Sequence, residues 1–491
     1  MQKSLFSAEC SPSFSISGAT AQGYKGLSAF HKYWGKKPQE QLAYLIKSLS
    51  DEGDIIVDPF VGSGLVAREV LDQRRRFVGC DVNPVAVEMT RLFAHLPTQE
   101  SLIHSLAEIE SEVRSEIELT YQTEDGLVAS HYLWDKGELL SVWRMSQKRK
   151  RDEREPTIFD KNLARSYETY QPQHPRALKL FDNPRINSSS QLSLNDLFTG
   201  RALHNIDLLI GAIQRQPEVV RRALLLSITA ASGQMSRMVF AITGRGKTTG
   251  KISNKIEVGS WVIGYWRPPL HFEINVWNCF SRRATELLKA VSTVSNVSYP
   301  EPTKDVCEVV GGKADCAIVQ NSACAVLRTL PDHSVSLILT DPPHGDRIPY
   351  LELSEVWNAL LDQEVVFDEE IVVSNARDRD KSKASYSNAM AVVFQEASRV
   401  LKPEGFLVVL FNARDKNNWK ALKDLDGEKN EWQYQGSFPL QYSANSIVQD
   451  NRNGSLKTDF ALIYSKPEDF VRMVELNGIT QLPGWSSEFP A

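Results

Sequence analysis

Cysteine is scarce in this sequence, and its spacing excludes the common cysteine-based sites. The 491 residues contain six cysteines, and no two of them form a C-x-x-C pair. A zinc ribbon needs such pairs, so we exclude one and expect no bound metal. Few, irregularly spaced cysteines are typical of a reduced cytosolic chain and not of a disulfide scaffold. The cysteines are Cys10, Cys80, Cys279, Cys307, Cys316 and Cys324.

Long apolar runs are also missing. A membrane-spanning helix needs roughly 20 consecutive apolar residues, and no stretch of the chain approaches that length. The stretch MQKSLFSAECSPSFSISGAT at the start is rich in serine but has no continuous apolar core, which predicts that it is not a secretory signal. These absences together predict a cytoplasmic protein with no membrane partner.

The chain has fewer basic than acidic residues overall, yet the basic residues are concentrated in one region. The chain contains 56 Lys and Arg against 61 Asp and Glu, a formal net charge of −5. Residues 141–260 contain 20 Lys and Arg against 10 Asp and Glu, a local balance of +10, so the remainder carries −15 (−5 minus +10). A basic segment inside an acidic chain favours a polyanionic partner that binds at one face.

The pattern of strands and helices divides the chain into three parts. Residues 1–95 and 311–491 alternate short apolar strands with helices, which is typical of an α/β protein with a mostly parallel sheet. Residues 96–310 interrupt that alternation with long helical stretches, charged runs and polar loops. This interruption predicts a large, mainly helical insertion with its own fold.

The stretch DPFVGSG, residues 58–64, joins a predicted strand to a predicted helix. Glycines in such a turn let the backbone approach a nucleotide-like ligand. Asp81 ends the next strand, 23 positions after Asp58, where an acid can hold a ribose diol. Val66 and Ala67 follow where a third glycine would serve a pyrophosphate, so S-adenosylmethionine fits this loop better than NAD. The alternative is a tight turn followed by a surface acid.

Another strand ends in the stretch LILTDPPHGDRIPY, residues 337–350. Ligands in open α/β sheets bind at the carboxyl ends of the strands, so Asp341 is predicted to face the same crevice as Gly62 and Asp81. The two prolines after Asp341 fix the backbone there. The alternative is a rigid turn without a chemical role.

Four sequence elements together resemble the class I S-adenosylmethionine-dependent methyltransferases that modify exocyclic amino groups of bases. They are HKYWGKKP at residues 31–38, DPFVGSG, the approach LRTLPDHSVSLILT, and DPPH, where the family has D-P-P-[YFW]. The resemblance covers about residues 30–95 and 315–466. It implies a Rossmann-like methyltransferase sheet, mostly parallel with a late antiparallel strand, split by the insertion. GSWVIGYWRPPLHFEINVW also resembles a segment of large DNA methyltransferases with such an insertion.

The resemblance assigns roles to residues of this chain. Asp341 and a main-chain carbonyl of the Pro342–Pro343 stretch would accept the two N–H groups of the target amino group and aim its lone pair at the methyl donor. The segment at residues 31–38 would close over the methionine end of the cofactor. The implied cofactor residues are His31, Tyr33, Lys36, Asp58, Phe60, Gly62, Gly64 and Asp81, and the implied catalytic residues are Asp341, Pro342, Pro343 and His344.

Two positions depart from the family's pattern. His344 stands where the family has an aromatic ring that stacks on a base extruded from the duplex, and imidazole is flat enough to stack. The alternative is that His344 only caps the turn, in a weakened or inactive copy. Asn321 and Ser322 stand where relatives often have Gly-Asp, which predicts that the adenine of the cofactor is held differently.

The implied function is methylation of a base amino group in duplex DNA. Adenine N6 is favoured, because relatives that act on cytosine N4 more often have Ser at the position of Asp341. Such enzymes typically belong to bacterial restriction–modification or phage-defence systems, so subunits of those systems are candidate partners. The alternatives are an RNA methyltransferase acting on tRNA guanine N2 or adenine N6, a cytosine-N4 DNA methyltransferase, and a catalytically silent DNA-binding module.

The basic part of the insertion supplies candidate contacts to nucleic acid. TGRGKTTGKISNK, residues 243–255, is polar, basic and contains three glycines. Arg245, Lys247 and Lys251 within it are predicted to bind a phosphate backbone. The overlapping AITGRGKT matches a relaxed phosphate-binding loop, so ATP binding is the alternative.

Overall fold

In the computed structural model, the central sheet has seven strands that come from two separate parts of the sequence. The structure describes residues 25–145, 151–244, 256–294, 299–345, 348–411, 422, 432–440 and 459–467. The strands in these residues are β1 (Ile55–Asp58), β2 (Arg76–Asp81), β3 (Ala129–Asp135), β4 (Glu138–Met145), β5 (Arg151–Arg154), β6 (Ala241–Ile242), β7 (Glu257–Val258), β8 (Leu270–Ile274), β9 (Cys316–Gln320), β10 (Val335–Thr340), β11 (Leu401–Phe411), β12 (Gln433–Leu440) and β13 (Asp459–Ser465).

The order of strands across the central sheet is β12-β13-β11-β10-β1-β2-β9. β1, β2, β9, β10 and β11 are parallel, whereas β13 pairs antiparallel with both β11 and β12. The predicted mostly parallel sheet is therefore confirmed, and the predicted late strand is β13. The chain runs from β1 to β2 and on to β9 at one edge, and then crosses back to β10 on the other side of β1. This reversal of strand order opens a crevice at the carboxyl ends of β1 and β10.

Helices precede, connect and cover the strands. They form where apolar side chains recur at helical spacing, as in α9, which buries most of its length. The helices in the described residues are α1 (Leu27–Phe30), α2 (Gln39–Leu49), α3 (Leu65–Asp72), α4 (Pro84–Ala94), α5 (Gln99–Thr120), α6 (Ile158–Arg165), α7 (Leu194–Leu197), α8 (Gly200–Gln214), α9 (Glu218–Met235), α10 (Val276–Thr293), α11 (Val306–Val310), α12 (Ala323–Thr329), α13 (Tyr350–Leu360) and α14 (Lys383–Val400).

The central sheet is buried on both faces. Side chains of a strand alternate between faces, so Ile56 of β1 belongs to one hydrophobic cluster, and Ile55 and Val57 belong to the other. The same alternation separates Leu337 from Ile338 in β10. Burial on both faces explains why these strands are continuous apolar runs in the sequence.

The segment between α4 and β9 contains helices α5–α11, a four-stranded antiparallel sheet in the order β5-β4-β3-β8, and a two-stranded sheet of β6 and β7. The prediction of a mainly helical segment is therefore incomplete, because the segment also contains a sheet whose strands lack long apolar runs. Buried residues of the segment belong to the same hydrophobic cluster as one face of the central sheet, and α9 packs against α4 and α13. No helix among the described residues is long and apolar enough to cross a membrane.

Candidate functional site

A cavity that is partly open to solvent lies at the carboxyl ends of β1, β2 and β10. Its walls include the glycine loop after β1, the end of β2, the segment before α2 and the turn after β10. Acidic side chains outnumber basic ones in this lining. The charged residues of the lining are Lys37, Asp58, Asp81, Asp341, Glu369 and Glu370.

The glycine loop adopts backbone angles that other residues rarely take. Gly62 and Gly64 have φ of +47° and +78°, and Gly64 caps the start of α3. A Cβ atom at Gly64 would lie 2.8 Å from the Cα of Thr90 in α4. Cβ atoms in folded proteins do not come that close to a backbone atom of another element. The loop therefore lies directly against α4, and its backbone forms one wall of the cavity.

Asp58 is buried at the start of the glycine loop and stabilises it with hydrogen bonds. Its Oδ1 accepts hydrogen bonds from the main-chain N–H of Phe60 (3.1 Å) and from the hydroxyl of Thr340 (3.0 Å). Burial raises the pKa of Asp58 to about 7. The carboxylate thus connects the end of β1 to the end of β10. Phe60 itself is half-buried and lies on the cavity wall.

Asp81 lies between two main-chain segments at the end of β2. Its Oδ2 accepts from the N–H of Gly62 (3.0 Å), and its Oδ1 accepts from the N–H of Asn83 (2.9 Å). Burial raises the pKa of Asp81 to about 6. The carboxylate lines the cavity, so it can hold a ligand hydroxyl while it also fixes the glycine loop.

Some side chains of residues 31–38 line the cavity, and others are buried in the core away from it. Tyr33 lines the cavity, and its ring stacks on Tyr350 with centroids 5.9 Å apart. His31 does not line it: Nε2 lies 2.9 Å from the hydroxyl of Thr229, and burial lowers the pKa of the imidazole to about 3. Lys36 is also directed away, because its Nζ donates to the carbonyl oxygen of Ser28 (2.7 Å).

Lys37, the neighbour of the predicted Lys36, is the lysine that reaches the cavity. Its Nζ lies 2.9 Å from an oxygen of Asp341 and 2.9 Å from an oxygen of Asp459. Burial lowers the pKa of this ammonium, but the two carboxylates outweigh burial and raise it above the ordinary value. Lys37 therefore stays charged and connects the turn after β10 to the start of β13.

The four residues predicted to be catalytic are in the turn after β10, but only two of them line the cavity. Asp341 and Pro343 line the cavity, whereas Pro342 is buried behind it. The hydroxyl of Tyr386 donates to the carbonyl oxygen of Pro343 (2.6 Å), which fixes the direction of the turn. His344 is only 8% exposed and is not part of the cavity lining. Its Nε2 lies 3.1 Å from Oδ1 of Asp341, and its ring centroid lies 4.9 Å from that of Phe411.

Several cavity residues lack a signal in the sequence. Glu370 follows α13 by ten positions, and its carboxylate accepts from the N–H of Leu351 (2.9 Å) and from Arg379 (2.7 Å). Burial raises the pKa of Glu370 despite the nearby guanidinium. Asn83 is buried beside Asp81 and is fixed by Asn358 of α13 (3.0 Å). No repeat or spacing distinguishes either residue from other polar residues.

The predicted residues after β9 and in the basic loop at residues 243–255 have different outcomes. Asn321 and Ser322 do not line the cavity, whereas the next residue, Ala323, does. The predicted phosphate contacts Arg245, Lys247 and Lys251 lie outside the described residues. Close to them in sequence, Trp266 is 51% exposed, although Tyr265 is buried.

Comparison with known proteins supports an amino-methyltransferase. Residues 10–92 match the family model of a DNA methylase. The matched part includes the segment at residues 31–38, the glycine loop and Asp81. No curated protein matches the chain.

Proposed function

We propose that this chain transfers the methyl group of S-adenosylmethionine to an exocyclic amino group of a base in DNA, with adenine N6 as the acceptor. One observation carries the proposal. The glycine loop, Asp81 and Asp341 lie on the walls of one cavity, at the carboxyl ends of β1, β2 and β10. The DNA methylase match covers the first two of these features, and Asp341 supplies an acceptor for an amino group beside them.

The charge of the cavity supports this cofactor. Its lining contains five carboxylates and one ammonium, that of Lys37. S-adenosylmethionine carries a sulfonium and an ammonium against one carboxylate, a net positive charge that such a lining attracts, whereas the phosphates of NAD or ATP would be repelled. We assign the ribose to Asp81 and the close approach of backbone to Gly62, whereas Gly64 lies outside the cavity lining and packs against α4. When bound, S-adenosylmethionine supplies a methyl group that is activated by the positive sulfur.

The residues of the turn after β10 prepare the target nitrogen. An exocyclic NH₂ group is a weak nucleophile, because its lone pair is conjugated with the ring. Asp341 accepts one N–H hydrogen bond, and a main-chain carbonyl accepts the other, which directs the lone pair away from the ring. We assign the second role to a main-chain carbonyl of the Pro342–Pro343 stretch, whose direction is fixed by the hydrogen bond from Tyr386 to the carbonyl oxygen of Pro343. The rigid prolines hold that carbonyl in place before the substrate arrives.

The three parts of the chain receive different tasks in this proposal. Residues 1–95 and 311–491 form the two halves of a Rossmann-like methyltransferase domain. Residues 96–310 are the insertion that contacts the nucleic acid. The local charge balance of +10 in residues 141–260 supports that assignment, since phosphate contacts depend on Lys and Arg.

Methyl transfer from tritiated S-adenosylmethionine tests the proposal. We expect incorporation into duplex DNA, and N6-methyladenine in the digested product by mass spectrometry. Single-stranded DNA and tRNA are assayed in parallel. Asp341→Ala should abolish incorporation and leave cofactor affinity within about threefold, because Asp341 contacts the target base and not the cofactor.

Asp315→Ala is the matched control. Asp315 is exposed just before β9, at the opposite edge of the sheet from the cavity. It should behave as the unaltered protein does. Incorporation into tRNA alone would replace DNA by RNA as the substrate, and near-normal activity of Asp341→Ala would refute the proposed chemistry.

A further inference from the structure

The carboxylate of Asp341 has a side-chain partner on each oxygen. Lys37 Nζ lies 2.9 Å from Oδ2, and His344 Nε2 lies 3.1 Å from Oδ1. Both partners are buried, with side-chain exposures of 5% for Lys37 and 7% for His344. Asp341 itself is 24% exposed toward the cavity. The acceptor carboxylate is therefore fixed from behind and open in front.

The surroundings of His344 differ from those that base stacking requires. A stacking ring must present an open face to the cavity, as in other proteins that bind extruded bases. His344 is buried, its ring packs against Phe411, and it lies outside the cavity lining. A base that enters the cavity meets Asp341 and Pro343 first.

We propose that His344 is a positioning residue, which orients the acceptor carboxylate of Asp341 by donating a hydrogen bond from Nε2. The proposal rests on the methyltransferase function proposed above. It replaces the base-stacking role that the aromatic residue has at this position in the family.

The physical reason is the competing attraction of Lys37. A carboxylate rotates easily about its Cβ–Cγ bond, because that torsion has broad minima. The ammonium of Lys37 is shared with Asp459 and would draw Oδ2 toward β13. A second hydrogen bond, on Oδ1, fixes the plane of the carboxylate. Its remaining lone pairs then face the cavity before the substrate binds, and this saves reorganisation in the transition state.

Two substitutions separate the hydrogen bond from the ring. His344→Gln loses the ring but places an N–H donor at a reach similar to Nε2. His344→Phe keeps a flat ring against Phe411 but has no donor. We expect His344→Phe to lower kcat roughly 10- to 100-fold, the range of a hydrogen bond to a charged group, with KM for DNA little changed. His344→Gln should retain most of the activity, and His333→Gln, in the turn before β10 at the end of the strand away from the cavity, serves as the control.

The outcomes distinguish this inference from the function on which it rests. Absence of methyl transfer by the unaltered protein on every nucleic acid would defeat the proposed function. An active protein in which His344→Phe equals or exceeds His344→Gln would overturn the positioning role and restore stacking. A rise in KM for DNA without loss of kcat in His344→Phe would also overturn it.

Nuclear magnetic resonance gives a second test, which needs no methyl-transfer activity. In protein labelled with ¹⁵N-histidine, the resonances of His344 are those missing from the His344→Gln spectrum. We expect Nε2 to carry a proton at pH 7.5. An unprotonated Nε2 overturns the proposal, because it cannot donate to the carboxylate of Asp341.

Discussion

Asp81 performs two tasks with one carboxylate. It accepts main-chain hydrogen bonds from Gly62 and Asn83, and it also faces the cavity where the ribose is proposed to bind. A carboxylate can accept about four hydrogen bonds, so two acceptor positions remain for a diol. Burial raises its pKa to about 6 because the charged form loses solvation.

Replacing Asp81 should therefore weaken cofactor binding and remove its pH dependence. We expect Asp81→Asn to reduce the affinity for S-adenosylmethionine by about 1.5–3 kcal/mol at pH 7.5, the value of a hydrogen bond to a charged group. In the unaltered protein the affinity should be constant above pH 7 and fall as the pH drops through about 6, because protonation removes the charged acceptor. Calorimetric titration at pH 5, 6, 7 and 8 measures both effects.

The shape of the curve for Asp81→Asn identifies the titrating group. A flat curve assigns the acid limb to Asp81. A limb that persists near pH 7 would assign it to Asp58, whose pKa burial raises to about 7. Unchanged affinity at pH 7.5 would remove Asp81 from the cofactor site.

Single residues differ in how well the sequence predicts them. Asp58, Gly62, Asp81 and Asp341 each end or follow an apolar strand, and the carboxyl ends of parallel strands meet at one edge of the sheet, so their convergence could be expected. Lys36 and Lys37 are adjacent in an irregular segment, where no period indicates which side chain points inward. The burial of His344 depends on Phe411, a residue of another strand, which the local sequence cannot reveal.

The glycine loop illustrates a constraint at the scale of elements. The loop turns the chain from β1 into α3, and the left-handed backbone at Gly64 allows α4 to pack directly against the turn. Gly53, before β1, has a similar φ of +83°, but a Cβ atom there would meet nothing within 4 Å. The two glycines thus share the backbone conformation and differ in packing.

Alanine at these two positions should separate backbone strain from packing. We expect Gly53→Ala to lower the free energy of unfolding by about 1–2 kcal/mol through left-handed strain alone. Gly64→Ala should lower it by a further 1–3 kcal/mol or so, because the backbone of Thr90 must move to admit the methyl group. It should also weaken cofactor binding, which Gly53→Ala should not. Urea denaturation measures the free energy of unfolding of both variants. Equal losses in the two variants would show that α4 can shift to admit the methyl group without further loss of stability.

At this scale the sequence predicts the buried elements well and the half-exposed ones poorly. The strands of the central sheet are continuous apolar runs because helices cover both faces, and this pattern is visible without a structure. The strands of the smaller sheet are not apolar throughout. β5 reads RDER, whose composition does not indicate a strand, and β4 is a short apolar run bounded by Glu138 and Arg144.

Across the whole molecule, the proposed insertion and the central sheet share one hydrophobic core. A buried ion pair between Arg201 of α8 and Glu273 of β8, with two contacts of 2.8 Å, connects the helices of the segment to its small sheet. The opposite face of the central sheet has a core of its own. The described part of the segment proposed to bind nucleic acid therefore packs on the same core as one face of the central sheet, an arrangement that would suit delivery of one base to Asp341.

Neutralising the basic loop should weaken binding of DNA in a way that depends on salt. Each phosphate contact releases counterions, so replacing Arg245, Lys247 and Lys251 with Gln should reduce the slope of log K against log salt by roughly 0.9 for each phosphate that is no longer neutralised. Fluorescence anisotropy with a labelled duplex at several salt concentrations measures the slope. Replacing three exposed lysines outside the basic segment removes the same charge and should leave the slope unchanged; these are Lys289, Lys304 and Lys313. Equal slopes in both triple variants would place the loop away from the phosphate backbone, and the +10 balance would then act only as a long-range field.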